Sequence, residues 1–118
     1  MKILLADDNP QLLSVTQKMI EHLRRDTIIL VANNGVEALA HIETHPDITH
    51  IITDYEMPGA DGLQVVQAAK KRVPTAHIIL TTSAQGNIHL QALEAGAHRF
   101  FPKGQSMLPL LMEILRVK

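Results

Sequence analysis

Residues 48–62 read Ile48-Thr49-His50-Ile51-Ile52-Thr53-Asp54-Tyr55-Glu56-Met57-Pro58-Gly59-Ala60-Asp61-Gly62. The stretch Ile48 to Thr53 is a strand that stops at a carboxylate, Asp54. A loop built on Met-Pro-Gly then leads to Asp61-Gly62 and a helix carrying Leu63, Val66 and Ala69 on one side, closed by Pro74. A strand feeding a helix through a polar loop is half of a parallel βαβ unit. The neighbouring sequence repeats it in both directions.

Toward the amino terminus, Ile3-Leu4-Leu5-Ala6 ends abruptly in Asp7-Asp8-Asn9-Pro10. Asp8 or Asn9 can cap a helix with Pro10 in its first turn, and Leu12, Thr16, Met19, Ile20 and Leu23 form the apolar stripe. Thr27 to Ala32 is a second strand. Asn34 with Glu37 resembles a capping box for a helix to about His45, with Val36, Leu39 and Ile42 facing inward and Pro46 ending it. Toward the carboxyl terminus, His77 to Thr81 is strand four, and Asn87 to Ala95 a short helix followed by Gly96 in the left-handed position. His98 to Phe101 is strand five, and Ser106 caps a last helix to about Arg116 with Pro109 in its first turn. The expectation is one α/β domain over residues 1–118: a (βα)5 doubly wound, flavodoxin-like parallel sheet of five strands in the order 2-1-3-4-5.

Composition narrows the function classes. Hydrophobic residues make up 46% of the 118 and charged residues 19%, which suits a packed core rather than disorder. No apolar run reaches the length of a membrane span, and the chain turns acidic at Asp7, too early for a signal peptide. With no cysteine, disulfide frameworks, cysteine–zinc sites and thiol nucleophiles are excluded. A net charge of −1 and three aromatic residues, Tyr55, Phe100 and Phe101, offer neither a basic groove nor a stacking platform, so no direct nucleic-acid contact is expected.

Open parallel sheets bind ligands beyond the carboxyl ends of their strands. Strand one ends in Asp7-Asp8, its neighbour strand three in Asp54, strand four in Thr81-Thr82-Ser83, and strand five precedes Lys103. Converging carboxylates resist ionising unless a cation sits among them; Mg²⁺, a hard ion preferring oxygen ligands, fits. One carboxylate can then attack phosphorus to form an aspartyl phosphate, with Lys103 and the Thr81 hydroxyl supporting the phosphoryl oxygens.

These pieces, together with Asp54-x-x-Met57-Pro58-x-x-Asp61-Gly62, Glu94-Ala95-Gly96-Ala97 and Phe100, resemble the receiver domain of two-component response regulators (CheY-like). The resemblance spans nearly the whole chain. It implies Asp54 as phosphoacceptor, and a Mg²⁺ site of Asp7, Asp8, Asp54 and the Glu56 backbone carbonyl. It implies Thr81, Lys103 and Phe100 as the switch, and Glu56 and Ser83 as tuners of hydrolytic water. It also implies a cytoplasmic phosphorelay protein that is no enzyme beyond accepting phosphate and slowly losing it. Its partners would be a histidine kinase or histidine phosphotransfer protein and a downstream effector at the α4-β5-α5 surface, with a phosphorylation-dependent homodimer as a further form and no membrane contact. One position departs from the family: Lys103 is followed by Gly104 rather than proline, and Pro102 precedes it.

Two other readings stay open on the residues. A phosphorylation-independent, receiver-like interaction domain would keep the fold and silence the chemistry. An aspartyl-phosphate hydrolase of the haloacid dehalogenase type needs its two carboxylates two residues apart on strand one, whereas Asp7 and Asp8 are adjacent. His41 and His45 have the i, i+4 spacing of metal ligands but no third partner, and an exposed helix face explains them better. Lys70-Lys71-Arg72 suits a solvated helix end, and Leu108, Leu111 and Leu115 read mostly as core.

Overall fold

The computed structural model describes residues 1–83, 87–103 and 108–116, the last two of these only as helix backbone. Its elements run β1 (Lys2–Ala6), α1 (Pro10–Leu23), β2 (Ile28–Ala32), α2 (Gly35–Thr44), β3 (His50–Asp54), α3 (Gly62–Arg72), β4 (His77–Thr82), α4 (Ile88–Ala95), β5 (Arg99–Pro102) and α5 (Leu108–Arg116). All strand pairs are parallel, and the five-stranded sheet has the order β2-β1-β3-β4-β5. The expected architecture is therefore the observed one.

Two apolar layers flank the sheet. Leu4, Ala6, Ile51, Ile78 and Leu80 pack with Ala38, Ile42, Val65, Val66, Ala69 and Ala92 on the side of α2, α3 and α4. Ile3, Leu5, Ile52 and Ile79 pack with Leu13, Ile20, Leu110, Leu111 and Ile114 on the side of α1 and α5. Alternate residues of each central strand thus serve opposite layers, which is why those strands read as unbroken apolar runs. The edge strands β2 and β5 are only partly covered; Pro102 at the open edge removes no ladder hydrogen bond needed by a further strand.

Local chemistry sets the helix ends. The Asn9 side chain accepts from the backbone N–H groups of Gln11 and Leu12, so Asn9, not Asp8, caps α1, and Pro10 opens it. Asn34 caps α2 by accepting from the Glu37 N–H, but the Glu37 carboxylate reaches Asn33 rather than Asn34. Asp61 and Gln64 form a full capping box at α3. Gly96 takes the left-handed conformation at φ 118° after α4.

Three helix faces differ from expectation. In α1, Leu13 replaces Leu12 as the buried residue, while Met19 is 37% and Leu23 47% exposed, because the buried face runs Leu13, Thr16, Ile20. In α2, Val36 is 60% exposed and Gly35 faces inward. The Ala60 backbone lies where a Cβ of residue 35 would stand, so only glycine admits this approach. In α5, Leu111 is core but Leu108 is exposed; the Leu115 side chain, the Ser106 cap and Gly104 lie outside the described residues. Among the described residues no helix is long and apolar enough to cross a membrane.

Candidate functional site

At the carboxyl rim, the strand register determines which side chains meet. Asp54 is the last residue of β3 and pairs with Thr81 of β4. Asp7 follows β1, its N–H donating to the Ala32 carbonyl, and its Oδ1 accepts from the Asn9 N–H at 2.9 Å, which orients the carboxylate. Carboxylate oxygens of Asp7, Asp8 and Asp54 lie within 4.8 Å of one another; Asp7 and Asp54 are buried and Asp8 is exposed. Lys103 leaves β5 with its N–H on the Thr82 carbonyl. Its Nζ donates to Asp54 Oδ2 at 2.8 Å and contacts Asp7 Oδ2 at 3.0 Å.

The electrostatics follow from that enclosure. Burial pushes the Asp54 carboxyl above the ordinary carboxylate value; the Lys103 hydrogen bond opposes the rise and the nearby Asp7 charge adds to it. For Lys103, burial works downward, but hydrogen bonds to Asp54 and Asp7 outweigh it and hold the ammonium above the usual lysine value. Among the described residues, one ammonium against three carboxylates leaves negative charge uncompensated. The donor set is entirely hard oxygen, with a spread compatible with one small ion, so these residues fit a hard divalent cation such as Mg²⁺.

Around this centre sit the remaining expected residues. Glu56 is tied to Asp54 through its N–H, which donates to Asp54 Oδ1 at 3.3 Å. Its carboxylate turns the other way, accepting from the buried Thr82 hydroxyl at 2.8 Å and from Ser83 at 3.3 Å. The Thr82 bond, against a smaller opposing effect of burial, holds the Glu56 carboxyl below its ordinary value. Of the adjacent threonines at the end of β4, spacing from Lys103 favours Thr81 for the phosphoryl role, and nothing in the sequence marks Thr82 as the partner of Glu56. Thr81 is half-buried beside Asp54, with a long 3.5 Å contact to the Thr53 carbonyl. Phe100 is half-buried, and its ring stacks on His89 of α4 at 4.8 Å between centroids.

Gly62 fixes the geometry behind Asp54. Its N–H donates to the Tyr55 carbonyl at 2.8 Å, and a Cβ there would meet the Asp54 carbonyl and Leu80. The Asp-Gly pair therefore brings α3 hard against the end of β3, with Asp61 as the helix cap. His41 and His45 are half-buried rather than exposed, and bond to the Val31 and His41 carbonyls. Arg72 pairs with Glu43 on α2.

Comparison with known proteins shows the family. The family described as "Response regulator receiver domain" matches residues 3–115. The chain is a response regulator receiver domain. A receiver of this kind is a module of two-component signalling. The chain is 30% identical to a chemotaxis protein CheY homolog of Campylobacter jejuni, covering 100% of this chain and 88% of that protein. It is 31% identical to the peroxide stress-activated histidine kinase mak3 of Schizosaccharomyces pombe, covering 97% of this chain but only 5% of the kinase. Among solved structures, a CheY-like receiver domain protein from Methanospirillum hungatei matches with TM-score 0.88 and 25% identity, over 98% of this chain and 90% of that one. The receiver domain of the regulator NarL from Mycobacterium tuberculosis matches with TM-score 0.82 and 26% identity, over 98% and 93%.

Proposed function

We propose that this receiver accepts a phosphoryl group on Asp54 from a histidine kinase or histidine phosphotransfer protein and thereby switches its α4-β5-α5 surface toward an effector. The observation supporting it is the buried Asp54 carboxylate held by Lys103 beside Asp7 and Asp8. In the transfer, an Asp54 carboxylate oxygen forms a bond to phosphorus as the donor's N–P bond breaks, and the imidazole leaves with the electron pair. Asp7, Asp8, Asp54 and the Glu56 carbonyl would hold Mg²⁺, which when bound supplies positive charge toward phosphoryl oxygens.

Lys103 supplies a fixed cation on the other side. Because its ammonium already spans Asp7 and Asp54, it must yield part of that contact when a new dianionic group arrives. Thr81, opposite Asp54 in register, is placed to turn its hydroxyl toward the incoming oxygens. Phe100 lies on the neighbouring strand, against the α4 layer, where repacking would follow. Phosphorylation shifts the two states only by its differential interaction with them. Glu56, engaged by Thr82 and Ser83, would govern access of hydrolytic water, and turnover would be limited to slow loss of the chain's own phosphate.

Intact-mass spectrometry after treatment with acetyl phosphate tests this. The expected result is one phosphoryl adduct, dependent on Mg²⁺, mapping to Asp54 and absent from Asp54→Asn. Labelling that persists in Asp54→Asn overturns the acceptor assignment. A wild-type chain that takes no label while binding its partner unchanged favours the phosphorylation-independent reading.

A further inference from the structure

The opposite rim of the sheet carries a histidine group that the phosphoryl chemistry does not use. His77 opens β4, and His98 immediately precedes β5; their rings stack at 4.8 Å between centroids, only 25° from parallel. His50, the first residue of β3, lies edge-on to His77 at 6.1 Å. His77 Nε2 is 2.8 Å from the carboxylate of buried Glu113 on α5, and Arg99 approaches the same carboxylate at 3.8 Å. A carboxylate only accepts, so the proton of this bond sits on His77 Nε2.

The decisive contact is the other one. The backbone N–H of Ile78 donates to His98 Nδ1 at 3.0 Å, while the His98 N–H donates to the Ile78 carbonyl at 2.8 Å. The pair closes a ring of bonds that ties the start of the edge strand β5 to β4. Nδ1 can accept only through its lone pair, so His98 must be neutral, with its proton on Nε2.

We propose that His98 is a proton-released latch on β5: neutral, it holds the strand's start to β4 through Ile78, and protonated, it lets go. Protonation places a proton on the lone pair that accepts the Ile78 N–H, so the bond is lost outright. The new cation then faces the stacked His77 ring on β4, with His50 behind it on β3, and Lys70 of α3. Arg99 adjoins it on β5, and among the described residues Glu113 of α5, already engaged by His77 and Arg99, is the charge that opposes it. Burial, then His77 and Lys70, hold the His98 imidazole below the ordinary histidine value, and Glu113 opposes them more weakly.

The sign follows. The folded chain binds the His98 proton less readily than the unfolded chain does. The latch's contribution is therefore complete above the ordinary histidine value and is lost as pH falls through that value toward the lower folded-state one. β5 carries Phe100 and leads to Lys103, so acidity acts on the strand that serves the phosphoryl site from its far end.

Nitrogen-15 NMR of the unphosphorylated chain tests the latch without any phosphoryl chemistry. His98 should show the Nε2–H tautomer at neutral pH, and the Ile78 amide should titrate with the His98 midpoint, below about 6.5. Its exchange protection should fall about fivefold across that transition, the weight of one hydrogen bond. His98→Phe, which keeps a stacked ring but no acceptor, should show the low protection at every pH. An Ile78 amide that ignores the His98 titration, or a His98 that titrates at or above the ordinary value, overturns the proposal, even if Asp54 phosphorylation behaves as expected.

Discussion

Replacing Lys103 with methionine keeps most of the aliphatic stem and removes the one ammonium that spans Asp7 and Asp54. Their carboxylate oxygens lie within 4.8 Å, and two unit charges at that spacing repel by about 3 kcal/mol at an effective dielectric of roughly 20. The Lys103 side chain is 23% exposed, so water entering the gap should relax part of this, leaving a stability loss of about 2 kcal/mol in magnesium-free buffer. Urea unfolding followed by far-UV circular dichroism measures it. Two further results should accompany the loss. Mg²⁺ at about a hundredfold its dissociation constant contributes about 2.7 kcal/mol, and the variant, lacking the competing ammonium, should gain more than wild type. The deficit should also shrink on acidification. Burial already raises Asp54 in the folded state, so its protonated form favours folding at low pH and that contribution is lost as pH rises through its folded value; without Lys103 this window moves higher. Coincident wild-type and variant unfolding midpoints without Mg²⁺, or a deficit that persists once the carboxylates are protonated, would refute the account.

Other perturbations probe the parts separately. Gly62→Ala forces a methyl group against the Asp54 carbonyl and Leu80 and should cost about 2 kcal/mol or more in urea unfolding while slowing acetyl-phosphate labelling. Thr82→Val removes the hydroxyl that donates to Glu56, so the Glu56 carboxyl should titrate at higher pH by carbon-13 NMR; an unchanged midpoint would show the bond to be absent in solution. Asn9→Ala removes the acceptor for two N–H groups at the start of α1 and should lower stability by about 1 kcal/mol, read by thermal unfolding.

The sheet order and the acidic cluster were legible because both are written in strand ends: an apolar run that stops at Asp7, at Asp54 or before Lys103 gives the layer and the rim at once. Helix faces were less legible. Leu12 and Leu13 are equally apolar, and only the packing of α1 against the sheet selects Leu13. Val36 was expected inward on hydrophobicity alone, but the close approach of the Ala60 backbone gives that place to Gly35. The bonds made by Thr82 and His98 are hidden for a different reason. Their roles rest on single hydrogen bonds to partners 26 and 20 residues away, and no periodicity records such a bond.

All five strands point the same way, which gives the molecule two unlike poles, carboxylate and imidazole. β4 has six residues, and at roughly 3.3 Å per residue the poles stand nearly 20 Å apart, more than two screening lengths at physiological salt. Charge at one pole is scarcely felt at the other through solvent. Whatever passes between them must travel as displacement along the strands themselves, so substitutions in the imidazole group can retune proton response without altering the electrostatics of phosphate capture.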